Sequence, residues 1–163
     1  MNPSNNPELE RLRNRLPQYR LAGSGYFVTW RTADNLHKLS AAERTVVVNA
    51  LKYFHLERYV LLCYVVMDDH VHVLVWPKAE IKLSEIIHSW KSFTAHAINK
   101  QRGTTGTVWE KDSYTRVMRD EDEMLEKAQY IMNNPLKRWP GEMEYQWVEW
   151  LGYPDTTATV PSG

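Results

Sequence analysis

Two histidines one residue apart, His70 and His72, head the run HVHVLVWP, and Tyr130 and Asn134 lie one helical turn apart in YIMNNP. Imidazoles at alternate positions of an extended segment point the same way, so both can meet one cation, the geometry of a two-histidine metal site. The same two residues also fit ordinary hydrogen-bonded histidines near a strand end. Asp68 and Asp69 stand next door in a turn, where solvated acids are normal, and the lone Cys63 offers no thiolate-rich zinc site. Two imidazoles, one oxygen ligand and waters suit Mg2+ or Mn2+ better, above all where a phosphate completes the shell. The chemistry to consider is therefore phosphate chemistry.

Tyr130 lies on an unusual side of its helix. Met124, Leu125, Ala128, Ile131 and Met132 fall within about a third of the helix circumference at ~100° per residue. Tyr130 is opposite that stripe, with Glu123 and Lys127, and Asn134 follows it at i+4. A ring placed there is either solvated or set against a second surface. A phenol is a poor nucleophile at its ordinary pKa near ~10 and needs a base or a nearby cation, for which Lys127 and a divalent metal are the candidates.

The elements that must position these groups are legible in outline. YFVTWR, from Tyr26 to Arg31, predicts a strand. A helix is expected from about residue 41 to 56, capped by Ser40. YVLLCYVVM and HVHVLVW, separated by Asp68 and Asp69, predict an antiparallel hairpin. Leu83, Ile86, Ile87, Trp90, Phe93, Ala97 and Ile98 recur at helical spacing behind a capping Ser84, and that helix stops near Gly103. GTVWEKDSYTRVMR reads as extended, supplying an edge strand. A third helix starts in the acidic DEDE of residues 120–123, which suits its positive dipole end, and Pro135 is expected to end it. This order predicts an α+β fold, a four- or five-stranded antiparallel sheet with helices on one face.

At 163 residues the chain suits one domain, with 43% hydrophobic and 25% charged residues. Residues 1–22 read as a basic N-terminal arm, 23–139 as the domain, and 140–163 as a C-terminal tail. The net charge of zero counts against a dedicated duplex binder, although residues 86–102 hold Lys91, Lys100 and Arg102 with no acid. Seven tryptophans and nine tyrosines exceed what a core needs, and such rings can stack bases. One cysteine, no apolar run of membrane length and no signal-peptide core make the cytoplasm the expected location.

HVH among strand hydrophobics resembles the histidine, hydrophobic, histidine (HUH) signature of single-tyrosine nucleases, and YIMNNP resembles the Y-I-x-x-N-P segment of the REP-associated tyrosine transposases. VWEKDSYTRVMRDEDEM between them is similar to that family's Trp-led strand, and the matches run in order from about Tyr26 to Trp139. The resemblance implies an RRM-like, ferredoxin-type antiparallel sheet with both histidines on a central strand. It implies Mg2+ or Mn2+ held by His70, His72 and Asn134. It implies Tyr130 as the nucleophile of a single-stranded DNA endonuclease and strand transferase that acts beside hairpins of repetitive extragenic palindromes through a 5′-phosphotyrosine. Lys91, Lys100, Arg102, Arg119 and Lys127 are then candidate backbone contacts, with Trp109 and Tyr114 as stacking rings. The chain departs from the family at Thr115, where an acid is usual, and at Asp68 and Asp69, where Pro-Asn is frequent. A monomer and a homodimer are both compatible with this reading. A histidine-triad nucleotide hydrolase is rejected because the third histidine position is Leu74. A non-catalytic RRM-like nucleic-acid binder is the alternative, and Tyr130 is what separates the two.

Overall fold

The computed structural model describes residues 23–33 and 37–152; the N-terminal arm lies outside them. Five strands, β1 (Tyr26–Arg31), β2 (Tyr59–Val66), β3 (His70–Pro77), β4 (Tyr114–Val117) and β5 (Val148–Trp150), form one sheet. Its order is β4-β1-β3-β2-β5 and every pairing is antiparallel. The expected hairpin is present: Asp68 and Asp69 make the turn, closed by the Met67 N–H donating to the His70 carbonyl at 2.8 Å. β3 therefore has a neighbour on both sides, β1 and β2, and every residue from His70 to Val75 is buried. A register shift between Leu61 and Cys63 marks a bulge, which gives β2 one residue more than β3 over that stretch. Val60, Leu62, Cys63 and Val65 consequently line one face, while Leu61, Tyr64 and Val66 line the other.

Both faces are covered, each by its own core. Helices α1 (Ala41–Tyr53) and α2 (Leu83–Arg102) pack Val47, Leu51, Ile86, Trp90 and Ile98 on Val28, Trp30, Val71, Val73 and Val75. Helix α3 (Glu121–Arg138) sets Met124, Ala128 and Ile131 on Phe27, Cys63, Val65 and Leu74 across the sheet. The α+β antiparallel sheet is as expected, but the one-sided helix layer describes α1 and α2 only. Such burial is what holds α3 down: truncating a fully enclosed isoleucine like Ile131 costs about 2–5 kcal/mol.

Several boundaries differ from the sequence reading. In α1 the Ser40 and Glu43 capping box is present, yet the helix stops at Tyr53 because the chain turns into β2, with Leu56 at a φ of 72°. Ser84 is not the cap of α2; Lys82 occupies that position without a side-chain bond, so Ser84 lies within the first turn. Phe93, assigned to the apolar stripe, is 62% exposed, and Thr94 faces inward instead, its hydroxyl satisfied by the Trp90 carbonyl at 2.6 Å. Pro135 does not end α3, which continues to Arg138 with Pro135 buried inside it. A proline removes one N–H and strains the preceding turn, and here its burial and the Trp139 N–H to Pro135 carbonyl bond at 2.8 Å carry the last turn past it. Beyond residue 139, in what read as a tail, β5 pairs with Cys63, Tyr64 and Val65 of β2. Among the described residues no helix is long and apolar enough to cross a membrane.

Candidate active site

His70 and His72 lie on the α3 side of the sheet, with ring centroids 4.7 Å apart. That side is dictated by the strand alternation, because Val71, Val73 and Val75 belong to the opposite core. On the neighbouring strand Phe27 and Thr29 share the histidine face: the Phe27 ring stacks on His72 at 5.4 Å, and Thr29 Oγ1 lies 2.6 Å from His72 Nδ1. The other imidazole is held in the turn, where Asp69 Oδ1 is 2.6 Å from His70 Nδ1.

The helix brings its polar side to the same place. With the stripe of Met124, Leu125, Ala128 and Ile131 seated on β2 and β3, Tyr130 leans over β1 and β3. Its ring is 5.3 Å from that of His72 and 6.2 Å from that of Phe27, edge-on to both, and 41% of the residue remains exposed. The second surface that a tyrosine away from the stripe requires is thus the histidine face itself. One turn on, Asn134 is 7% exposed, with Oδ1 3.2 Å from His70 Nε2. With Nδ1 committed to Asp69, that Nε2 and Oδ1 can share either a proton or a cation.

The charges around the pair have clear directions. Burial pushes the His72 imidazolium down to about 3, helped by the charges of His70, Arg31 and Lys127, so the ring is a neutral imidazole at pH 7. Burial opposes ionisation of Asp69, but the His70 hydrogen bond and the charges of Lys38 and Arg138 outweigh it and hold the carboxyl well below the usual range. Lys38 Nζ is 3.3 Å and Arg138 Nη2 3.6 Å from Asp69 Oδ2, and Arg138 also reaches Asp68 Oδ1 at 2.9 Å.

A divalent cation fits these donors. Among the described residues no cluster of three or more His, Cys, Asp or Glu is arranged to hold a metal, so the set depends on the Asn134 amide as third ligand. A cation there would be held by two nitrogens and one oxygen.

Of the residues expected to meet nucleic acid, the site face gathers only some. Tyr114 is 57% exposed and edge-on to Phe27, and Lys127 Nζ is 5.2 Å from the Phe27 ring centre. Arg119, exposed at the mouth of α3, pairs with Glu123, as does Arg116. Lys91, Lys100 and Arg102 are on α2, beyond the other face of the sheet. Lys91 braces the segment after α2 by donating to the Glu110 and Lys111 carbonyls and to Ser113. Arg102 clamps Glu43 of α1 through two bonds, whereas Lys100 is exposed. Trp109 is no stacking platform: it is buried against Trp30, its indole N–H donating to Thr94 Oγ1. Thr29, Arg31 and Lys137 were missed. Arg31, exposed and in register with His70, shares the β1 face of Thr29. Lys137 Nζ lies 5.2 Å from the Tyr130 ring centre. Only the pairing register reveals the first two.

The family model for IS200-like transposases matches residues 36–134, a stretch that holds both histidines, Tyr130 and, as its last residue, Asn134. No curated protein sequence matches the chain. The structure of a REP-associated tyrosine transposase bound to a REP hairpin is similar, with a TM-score of 0.62 and 18% identity over 76% of this chain and 73% of that one. A transposase candidate from Deinococcus radiodurans R1 is similar with a TM-score of 0.51 and 19% identity over 72% of this chain and 97% of that one. At such identities the two likenesses speak for the fold.

Proposed function

Because this chain belongs to the IS200-like transposases, proteins that cleave and transfer DNA strands, we propose that it cuts single-stranded DNA beside a hairpin with Tyr130 as the nucleophile. The observation that carries this reading is the convergence of Tyr130 on His72 and of Asn134 on His70 over one sheet face. His70, His72 and Asn134 would hold Mg2+ or Mn2+, which supplies Lewis-acid polarisation of the scissile phosphate and offsets charge in the in-line transition state.

The chain's own groups do the rest. Tyr130, half-exposed at the rim, presents its oxygen to the phosphorus. Attack releases the phenolic proton to solvent, forms the Tyr130 oxygen–phosphorus bond and breaks the bond to the 3′ oxygen, which takes up a proton from solvent and leaves as a hydroxyl. The resulting 5′-phosphotyrosine conserves the phosphodiester energy, so a 3′-hydroxyl can later reseal or transfer the strand without ATP. Arg31, Lys127 and Lys137 surround the tyrosine and histidines with positive charge suited to neighbouring phosphates, and Tyr114 offers an exposed ring to a base. The hairpin is chosen because the similar transposase structure holds a REP hairpin.

Incubating the protein with hairpin-bearing single-stranded oligonucleotides and Mn2+ or Mg2+ is expected to give cleavage and a denaturant-resistant protein–DNA band, both abolished in Tyr130→Phe. Tight hairpin binding by the wild type across a broad oligonucleotide library, with no adduct, would mean a binding protein instead.

A further inference from the structure

Each site histidine has its Nδ1 taken by a different element: Thr29 of β1 for His72 and Asp69 of the hairpin turn for His70, both at 2.6 Å. An imidazole whose Nδ1–H is donated to an oxygen keeps its lone pair on Nε2 and cannot rotate freely about χ2. Resting on the metal reading above, we propose that Thr29 and Asp69 are positioning residues: Asp69, an acceptor only, fixes both the tautomer and the orientation of His70, and the Thr29 hydroxyl fixes the orientation of the His72 ring, so that both present Nε2 to one cation.

Asp69 is itself oriented. Its second oxygen faces Lys38 and Arg138, and Arg138 belongs to the same helix as Asn134, one turn further on. The contacts close a circuit: Asn134 to His70, His70 to Asp69, Asp69 to Arg138, and back along α3. The helix that carries the third ligand is thus tied to the ligand on β3 through both of that imidazole's nitrogens. A carboxylate in this position also raises the basicity of its histidine as a ligand, which a neutral acceptor does less. For His72 the anchor is a neutral hydroxyl, so the two imidazoles are unequal donors.

The test is Mn2+ affinity, read by calorimetry on the DNA-free protein and by the electron paramagnetic resonance spectrum of bound Mn2+, with circular dichroism confirming the fold. Thr29→Val and Asp69→Ala are expected to weaken Mn2+ binding by about 10–100-fold. Thr29→Ser is expected to restore it, and Asp69→Asn to fall between wild type and alanine, because it keeps an acceptor oxygen without the charge. Serine rescue and the graded Asp69 series are outcomes that a merely structural role would not produce. Wild-type affinity in folded Thr29→Val and Asp69→Ala would overturn the positioning proposal while leaving the metal reading standing. A wild type that takes up no Mn2+ at millimolar concentration would overturn both.

Discussion

The candidate site residues were legible because their types are rare in their settings. A His-x-His on a strand and a tyrosine away from its helix's apolar stripe stand out in the chain itself, and the structure puts these three groups and Asn134 on one face. Their supports were not legible. Thr29 is an unremarkable strand residue until the β1 and β3 register sets it opposite His72, and Arg31 acquires meaning only as the partner of His70. Trp109 failed as a base platform for the reverse reason, since composition cannot distinguish a ring at the surface from one wedged beneath Thr94. Arg31 yields a prediction at this scale. If its guanidinium meets a phosphate, Arg31→Ala should weaken hairpin binding about tenfold and lower the slope of log affinity against log salt by about 1. Filter binding across a salt series measures both, and an unchanged slope would remove Arg31 from the interface.

At the scale of elements, hydrophobic period and caps located each helix and strand of the site, and the misses lie where tertiary packing overrules local preference. α3 passes through Pro135 because the proline is buried and the following turn is bonded around it; β5 is too short for any period to announce it. Two of the three basic residues on α2, Lys91 and Arg102, serve structure. Arg102 reaches across to Glu43, the same residue whose side chain accepts from the Ser40 N–H in the α1 capping box. Burial works against the Glu43 charge, but the Arg102 and Ser40 bonds prevail and its carboxyl is lowered. A depressed carboxyl adds stability that is complete above the unfolded value near ~4.3 and is lost as pH falls through the lower folded value. Arg102→Ala, which leaves the buried carboxylate unpaired, is expected to cost about 3 kcal/mol at pH 7. The gap from wild type should narrow on acidification to about pH 3, as Glu43 in the variant takes up a proton. Urea unfolding at the two pH values checks this, and a gap independent of pH would mean that the arginine acts through packing.

The whole molecule divides its labour between the two faces of one sheet. α1 and α2 close one face with the larger core, leaving the other to α3 and the reactive groups. The zero net charge is reconciled with a DNA substrate by placement, because Arg31, Lys127 and Lys137 gather at the site while the acids of the hairpin turn are engaged by Lys38 and Arg138. β3 is the middle strand of five, bonded on both edges and covered on both faces, whereas α3 is attached along one side only. The proposed metal ligands His70 and His72 and the proposed nucleophile Tyr130 thus inhabit parts of unequal persistence. Amide hydrogen exchange should be slowest at Val71 and Val73, limited by global unfolding, and faster through residues 121–138, which can lift in a partial opening. Equal protection of the two would mean that they open as one unit. On the proposed chemistry, the covalently loaded helix could then breathe away from the strand and return with its cargo, while the ion-binding floor stays in place.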